Sequence, residues 1–234
     1  MKYAIFSTYR TASTLLTCMV SNHFEIQDFG ELTGGIPQDK RDDPTVRHQY
    51  LADKLSESAY AVKLFSYDFG PANYYFNKDT FDWSIFDKII CTTRGNVTDQ
   101  MCSVYYMKPW IPSTQEQHPL PINTTPEEID FSDAGWMAQL ERQRRGLILF
   151  HSIKDTLLSA YPTKACTVPS EIFMDEPSEY LPILNSLTGI PFVEADLYPN
   201  SAFSLEQLGL NYQTKYTNYN DLKSIVDSWN VPRL

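Results

Sequence analysis

Lys2 Tyr3 Ala4 Ile5 Phe6 Ser7 is a short apolar, β-compatible run, followed at once by the polar turn Thr8 Tyr9 Arg10 Thr11 Ala12 Ser13 and then by Thr14 Leu15 Leu16 Thr17 Cys18 Met19 Val20. Strand, loop, helix is the simplest parse of that order. Leu15, Leu16, Met19 and Val20 leave the helix little polar face, so strand and helix both belong in the interior, as in an α/β layer arrangement. The plan recurs at Phe86 to Thr93, where Ile89, Ile90 and Cys91 run together as in an interior parallel strand. That strand ends in Arg94, and apolar residues then fall at Val97, Met101, Val104 and Tyr105 with helical spacing.

Outward from these two units, Phe24 to Asp28 and Tyr60 to Phe65 are predicted strands, and Pro37 to Pro44 a charged loop. Ser132 and Asp133 can cap a helix from Ala134 to Ala160, with a break expected at Gly146. Lys164 to Val168 is the last predicted strand. A helix over Pro177 to Leu187 should stop at Gly189 and Pro191, and another should close the chain near Asn220 to Trp229. Between Lys108 and Glu128, Pro109, Pro112, Pro119, Pro121 and Pro126 exclude a long helix or a central strand and suggest a lid. With no internal repeat or linker-like stretch, residues 1–234 are expected to form a single α/β domain with a mostly parallel central sheet flanked by helices.

Composition narrows the function classes. A hydrophobic fraction of 42% with 13 Phe, 15 Tyr and 4 Trp excludes a solvated, disordered chain. The 29 acidic against 19 basic side chains give a net charge of −10, so the averaged field repels nucleic acid and anionic membrane, and any anion must be met by a local positive pocket. No apolar run approaches a membrane span and no signal-peptide core follows Met1, so a cytoplasmic protein is expected. Cys18, Cys91, Cys102 and Cys166 form no CxxC pair, and His23, His48, His118 and His151 no HxxxH pattern, so reduced thiols and no protein-bound metal are expected.

The loop from Ser7 to Thr14 offers helix-start amides, the Arg10 guanidinium and the hydroxyls of Ser13 and Thr14, which together suit a phosphate; the bland reading is a capped helix with a solvated arginine. A Walker A loop is a poor fit, because its lysine and glycines are absent. Arg94 falls at the C-terminal end of an interior strand, where open parallel sheets place ligands. A magnesium-dependent P-loop enzyme would want a carboxylate on a neighbouring strand; an arginine there points to anion binding without metal, unless it merely pairs with a surface carboxylate.

On these residues the chain resembles the sulfotransferases that use 3′-phosphoadenosine 5′-phosphosulfate. Ser7 to Leu16 looks like that family's 5′-phosphosulfate loop, with Tyr9 where proline and Ala12 where glycine is usual. Thr93 to Tyr106 looks like its 3′-phosphate segment. The stretch from Glu171 through Leu187 Thr188 Gly189 Ile190, with Asn211 Tyr212 and Asn218 to Leu222, is similar to its C-terminal pattern. The resemblance implies a P-loop-like sulfotransferase fold and metal-independent, in-line transfer from that donor to a hydroxyl of a small molecule or carbohydrate, with adenosine 3′,5′-bisphosphate as product.

It further implies that Arg10, Thr11, Ala12, Ser13 and Thr14 hold the 5′ side and that Arg94 and Ser103 hold the 3′-phosphate, with Cys102 the rival for the serine position. Arg10 and Lys63 would offset charge on the bridging oxygen, and Glu31 would take the acceptor's proton, with His23 its rival. A snorkelling role for Lys63, a solvated face for Arg142, Arg144 and Arg145, and a cover of Trp110 and Pro112 to Pro121 over the acceptor complete the expectations. A P-loop-type nucleotide kinase and an inactive binding protein that retains the fold are the alternatives.

Overall fold

Strands that are apolar on both faces must be covered on both, and the sheet is built that way. In the computed structural model, which describes residues 1–70, 75–106, 125–174, 176–197 and 211–231, five strands form one wholly parallel sheet. Their order is β2 (Gln27–Glu31), β3 (Tyr60–Phe65), β1 (Lys2–Ser7), β4 (Lys88–Thr93), β5 (Ala165–Pro169). One face packs Tyr3, Ile5, Ala61 and Ile90 beneath α1 (Ser13–Phe24) and α6 (Pro177–Thr188). The other packs Ala4, Phe6, Val62, Leu64 and Cys91 against α3 (Pro44–Ser56) and the second half of α5 (Ala134–Ala160). A third apolar cluster joins α4 (Val97–Tyr106), the first half of α5, α7 (Tyr212–Lys215) and α8 (Tyr219–Asp227).

This is the expected α/β domain, with local differences: α3 has no counterpart among the expected elements, β4 starts at Lys88 rather than Phe86, and α8 (Tyr219–Asp227) replaces the helix expected near 220–229. Strand β2 starts three residues later than expected, because α1 continues to Phe24 and closes on Glu25 in the left-handed region (φ 51°), with Ile26 N–H bonded to the Ser21 carbonyl. Phe24 and Ile26 thus serve a helix end. The 37–44 segment is not all loop: Gln38–Arg41 forms one helical turn, α2, and Asp43 caps α3, its carboxylate accepting from Thr45 N at 2.8 Å. Helix α5 is unbroken at Gly146, which lets the 3₁₀ turn Ser66–Asp68 approach closely; Ser66 Oγ donates to the Gly146 carbonyl at 2.7 Å. Strand β5 begins at Ala165 and ends at Pro169, one residue later at each end. The proline-rich segment with Trp110 and Pro112 to Pro121 lies outside the described residues. Among the described residues no helix is long and apolar enough to cross a membrane.

Topology then dictates where a ligand can sit. From β1 the chain moves to the β2–β3 side of the sheet, and from β4 it moves to β5 on the other side. The neighbouring C-terminal ends of β1 and β4 are therefore the switch point, the position at which open parallel sheets place their ligands.

Candidate functional site

Both arginines singled out in the sequence leave the sheet at that switch point, Arg10 after β1 and Arg94 after β4. They meet: Arg94 Nη1 donates to the Arg10 carbonyl at 3.3 Å, and Arg10 Nε donates to Ser103 Oγ at 2.7 Å. Ser103, like Cys102, is buried, but it is Ser103 that meets Arg10 from α4, whereas Cys102 packs in the helical cluster. The Tyr212 hydroxyl stands within electrostatic reach of Ser103, Arg94 and Arg10, and burial raises its pKa. Burial lowers that of Arg10, opposed by Tyr212 and assisted by Arg94. Among the described residues no carboxylate pairs with either arginine. Two partly desolvated arginines at one junction, neither paired to a carboxylate among the described residues, suit an anion.

The loop carrying Arg10 is held rigidly. Thr11 Oγ1 bonds Thr92 Oγ1 on β4 at 2.8 Å and the Thr8 carbonyl at 3.1 Å, so its hydroxyl is turned into the sheet and Thr11 can offer an anion only its amide. Gln100 of α4 donates to Thr8 Oγ1 at 2.7 Å and to the Tyr9 carbonyl. Arg10 (φ 62°) and Ala12 (φ 55°) both occupy the left-handed region, and Ala12 is the N-cap of α1, which has no side-chain cap and no acid in its first turn. Such backbone strain concentrates at functional loops. Ala12→Gly is expected to stabilise the fold by up to about 1 kcal/mol, read as a higher urea midpoint, because glycine adopts this conformation without a Cβ penalty. The α4 start is different: Glu171 Oε1 accepts from Gly95 N at 2.7 Å and Asn96 N at 3.4 Å, which leaves the side chains of Arg94 and Ser103 as the donors on that side.

Lys63 is no snorkelling residue. It is 4% exposed on an interior strand, and its Nζ donates to Thr14 Oγ1 at 2.8 Å and pairs with Glu31 Oε1 at 3.4 Å. One cation thereby links the N-terminus of α1 to the end of β2. Glu31 is exposed and, with Thr14 and Lys63, lines an open cleft of about 710 Å³ whose walls include Phe29, Cys18 and Arg41. His23 is excluded from this region. It sits at the far end of α1, paired with Asp196 at 2.9 Å and packed edge-on against Phe24 and Phe192.

Arg142 is exposed, as expected, and Arg144 and Arg145 pair with Glu141; the Arg142 guanidinium also lies 4.8 Å from the Tyr67 ring centre, and Tyr67 stacks on Tyr9 at 4.4 Å. Sequence reasoning missed one feature beside the cleft. Asp68, 2% exposed, follows β3; the only hint in the sequence is one carboxylate among the aromatics of Phe65 Ser66 Tyr67 Asp68 Phe69. Burial, opposed by hydrogen bonds from Thr33 and the Phe65 amide, pushes its pKa up to about 7. The unfolded chain ionises it near 4, so between those values folding takes up a proton and this group's contribution to stability falls as pH rises. From pH 5 to pH 8 the wild type should lose roughly 2–3 kcal/mol relative to Asp68→Asn, measured by urea unfolding at both pH values.

No group of three or more His, Cys, Asp or Glu side chains gathers among the described residues as a metal site. No family model matches the chain, and no curated protein is similar to it.

Proposed function

We propose that the protein is a sulfotransferase that moves a sulfuryl group from 3′-phosphoadenosine 5′-phosphosulfate to a hydroxyl of a small molecule or carbohydrate. The observation that carries the reading is the meeting of Arg10 and Arg94, delivered by different strands to the switch point with Ser103 beside them and no described carboxylate to neutralise them. A nucleotide with phosphates on both its 3′ and 5′ positions presents one anion to each exit. Lys63 then joins the 5′ side, at Thr14, to the cleft at Glu31, which is where an acceptor can enter.

In the proposed step the acceptor oxygen forms a bond to sulfur as the bond from sulfur to the 5′-phosphate oxygen breaks. The acceptor's proton passes to the Glu31 carboxylate, and the departing electron pair stays on the phosphate oxygen, where Lys63 and Arg10 offset its charge. The sulfuryl group brings little negative charge of its own, so fixed side-chain cations suffice at this step. Incubation with radiolabelled donor and a panel of phenols, polyols and sugars tests the proposal. Transfer of label to an acceptor with release of adenosine 3′,5′-bisphosphate is expected. Magnesium-dependent turnover of ATP without label transfer would favour a nucleotide kinase and overturn it.

A further inference from the structure

The β2–β3 register shifts between Asp28 and Glu31, where Gly30 takes φ 56°, so the ladder is interrupted just before the proposed base. It resumes with Glu31 opposite Lys63 and with Leu32 N–H donating to the Lys63 carbonyl at 3.4 Å. Asp68 adds a side-chain tie beyond that short pairing with one oxygen: Oδ2 accepts from Thr33 Oγ1 at 3.0 Å and from the Phe65 amide at 3.4 Å. Thr33 lies two residues beyond Glu31 and Phe65 two beyond Lys63, and Thr33 and Asp68 are both buried. Asp68 does not line the cleft, so it can influence an acceptor only through its neighbours.

We infer that Asp68 is a positioning residue that clamps the Glu31-bearing turn to the end of β3 and holds it most firmly when ionised. This rests on the sulfotransferase reading. The charged and titratable groups facing Asp68 are Glu31 from β2, Arg142 from α5, Tyr9 from the β1–α1 loop and Tyr67 from its own turn. Glu31 raises the proton affinity of Asp68 and Arg142 lowers it. An ionised Asp68 accepts from Thr33 and from the Phe65 amide more strongly than a protonated one, so its ionisation tightens the clamp beside Glu31. With the Asp68 carboxyl pushed up to about 7, transfer should accelerate as pH rises through neutrality.

The test compares pH profiles of kcat and kcat/KM for wild type, Asp68→Asn and Thr33→Val, with carboxyl carbon NMR titrations of the wild type and Glu31→Gln. Asp68→Asn should lower kcat about tenfold and lose the step near neutrality, with KM for the donor unchanged. Thr33→Val should lower kcat and flatten the step, because it cuts the tie between Asp68 and the Glu31-bearing turn. In the titration, Glu31→Gln should move the Asp68 midpoint downward. Asp68→Asn and wild-type profiles that superimpose, or an Asp68 midpoint unmoved by Glu31→Gln, would overturn the inference. Absence of transfer from the wild type overturns the sulfotransferase reading instead, and the NMR arm still decides whether the two carboxyls are coupled.

Discussion

Glu31→Gln is expected to slow sulfuryl transfer by about 10²- to 10⁴-fold while leaving affinity for adenosine 3′,5′-bisphosphate within about twofold of wild type. Glutamine keeps the shape of the side chain and can still accept from Lys63, but it cannot take the acceptor's proton. Glu31 is exposed on the cleft and touches the site only through Lys63 Nζ at 3.4 Å, so its loss should not disturb the loop at Arg10. Single-turnover kinetics separate transfer from product release, and calorimetry measures the affinity. A transfer rate within a few-fold of wild type would remove Glu31 from the chemistry.

The second large effect concerns Arg94. Arg94→Ala should weaken binding of adenosine 3′,5′-bisphosphate by roughly 30- to 100-fold, equivalent to about 2–3 kcal/mol for a charge-assisted hydrogen bond to phosphate. Binding of AMP should weaken much less, and the preference for the bisphosphate should nearly vanish. A small loss toward AMP is expected as well, because Arg94 also donates to the Arg10 carbonyl and supports that residue at φ 62°. Arg94→Lys keeps the charge without the planar fork and should fall between the two. A variant that retains full discrimination would detach Arg94 from the 3′-phosphate.

The parts of the fold that the sequence reveals are those whose residues are buried on every side. Strands β1, β3 and β4 sit in the middle of the sheet, and their buried, largely apolar runs give β1 and β3 to the residue and β4 to within two residues. Edge elements behave otherwise. Strand β2 has only half-buried and exposed positions, and Leu51 alone is buried in α3, so neither shows a pattern that burial would impose. The cap of Asp43 before Pro44 was the readable sign of α3.

The site divides in the same way. Arg10 and Arg94 stand out because each ends an interior strand, a position with a fixed topological meaning. Distinguishing Ser103 from Cys102 needed the rotation of α4 relative to the β1 loop, a tertiary fact that spacing of eight or nine residues leaves open. The contact of the exposed Arg142 with the Tyr67 ring comes from the packing of α5 on the turn after β3, which a run with Arg144 and Arg145 does not reveal. Asp68 was hidden for the opposite reason: a lone carboxylate carries no pattern, and its importance comes from the Thr33 hydroxyl that folding brings to it across 35 residues of chain.

The most direct measurement is calorimetric titration of the wild-type protein with adenosine 3′,5′-bisphosphate and with AMP, each with and without magnesium. A single site that prefers the bisphosphate by at least about tenfold, unchanged by magnesium, is the predicted result. Equal affinity for the two nucleotides, binding only when magnesium is present, or no heat at millimolar bisphosphate would contradict a shared anion site at the exits of β1 and β4.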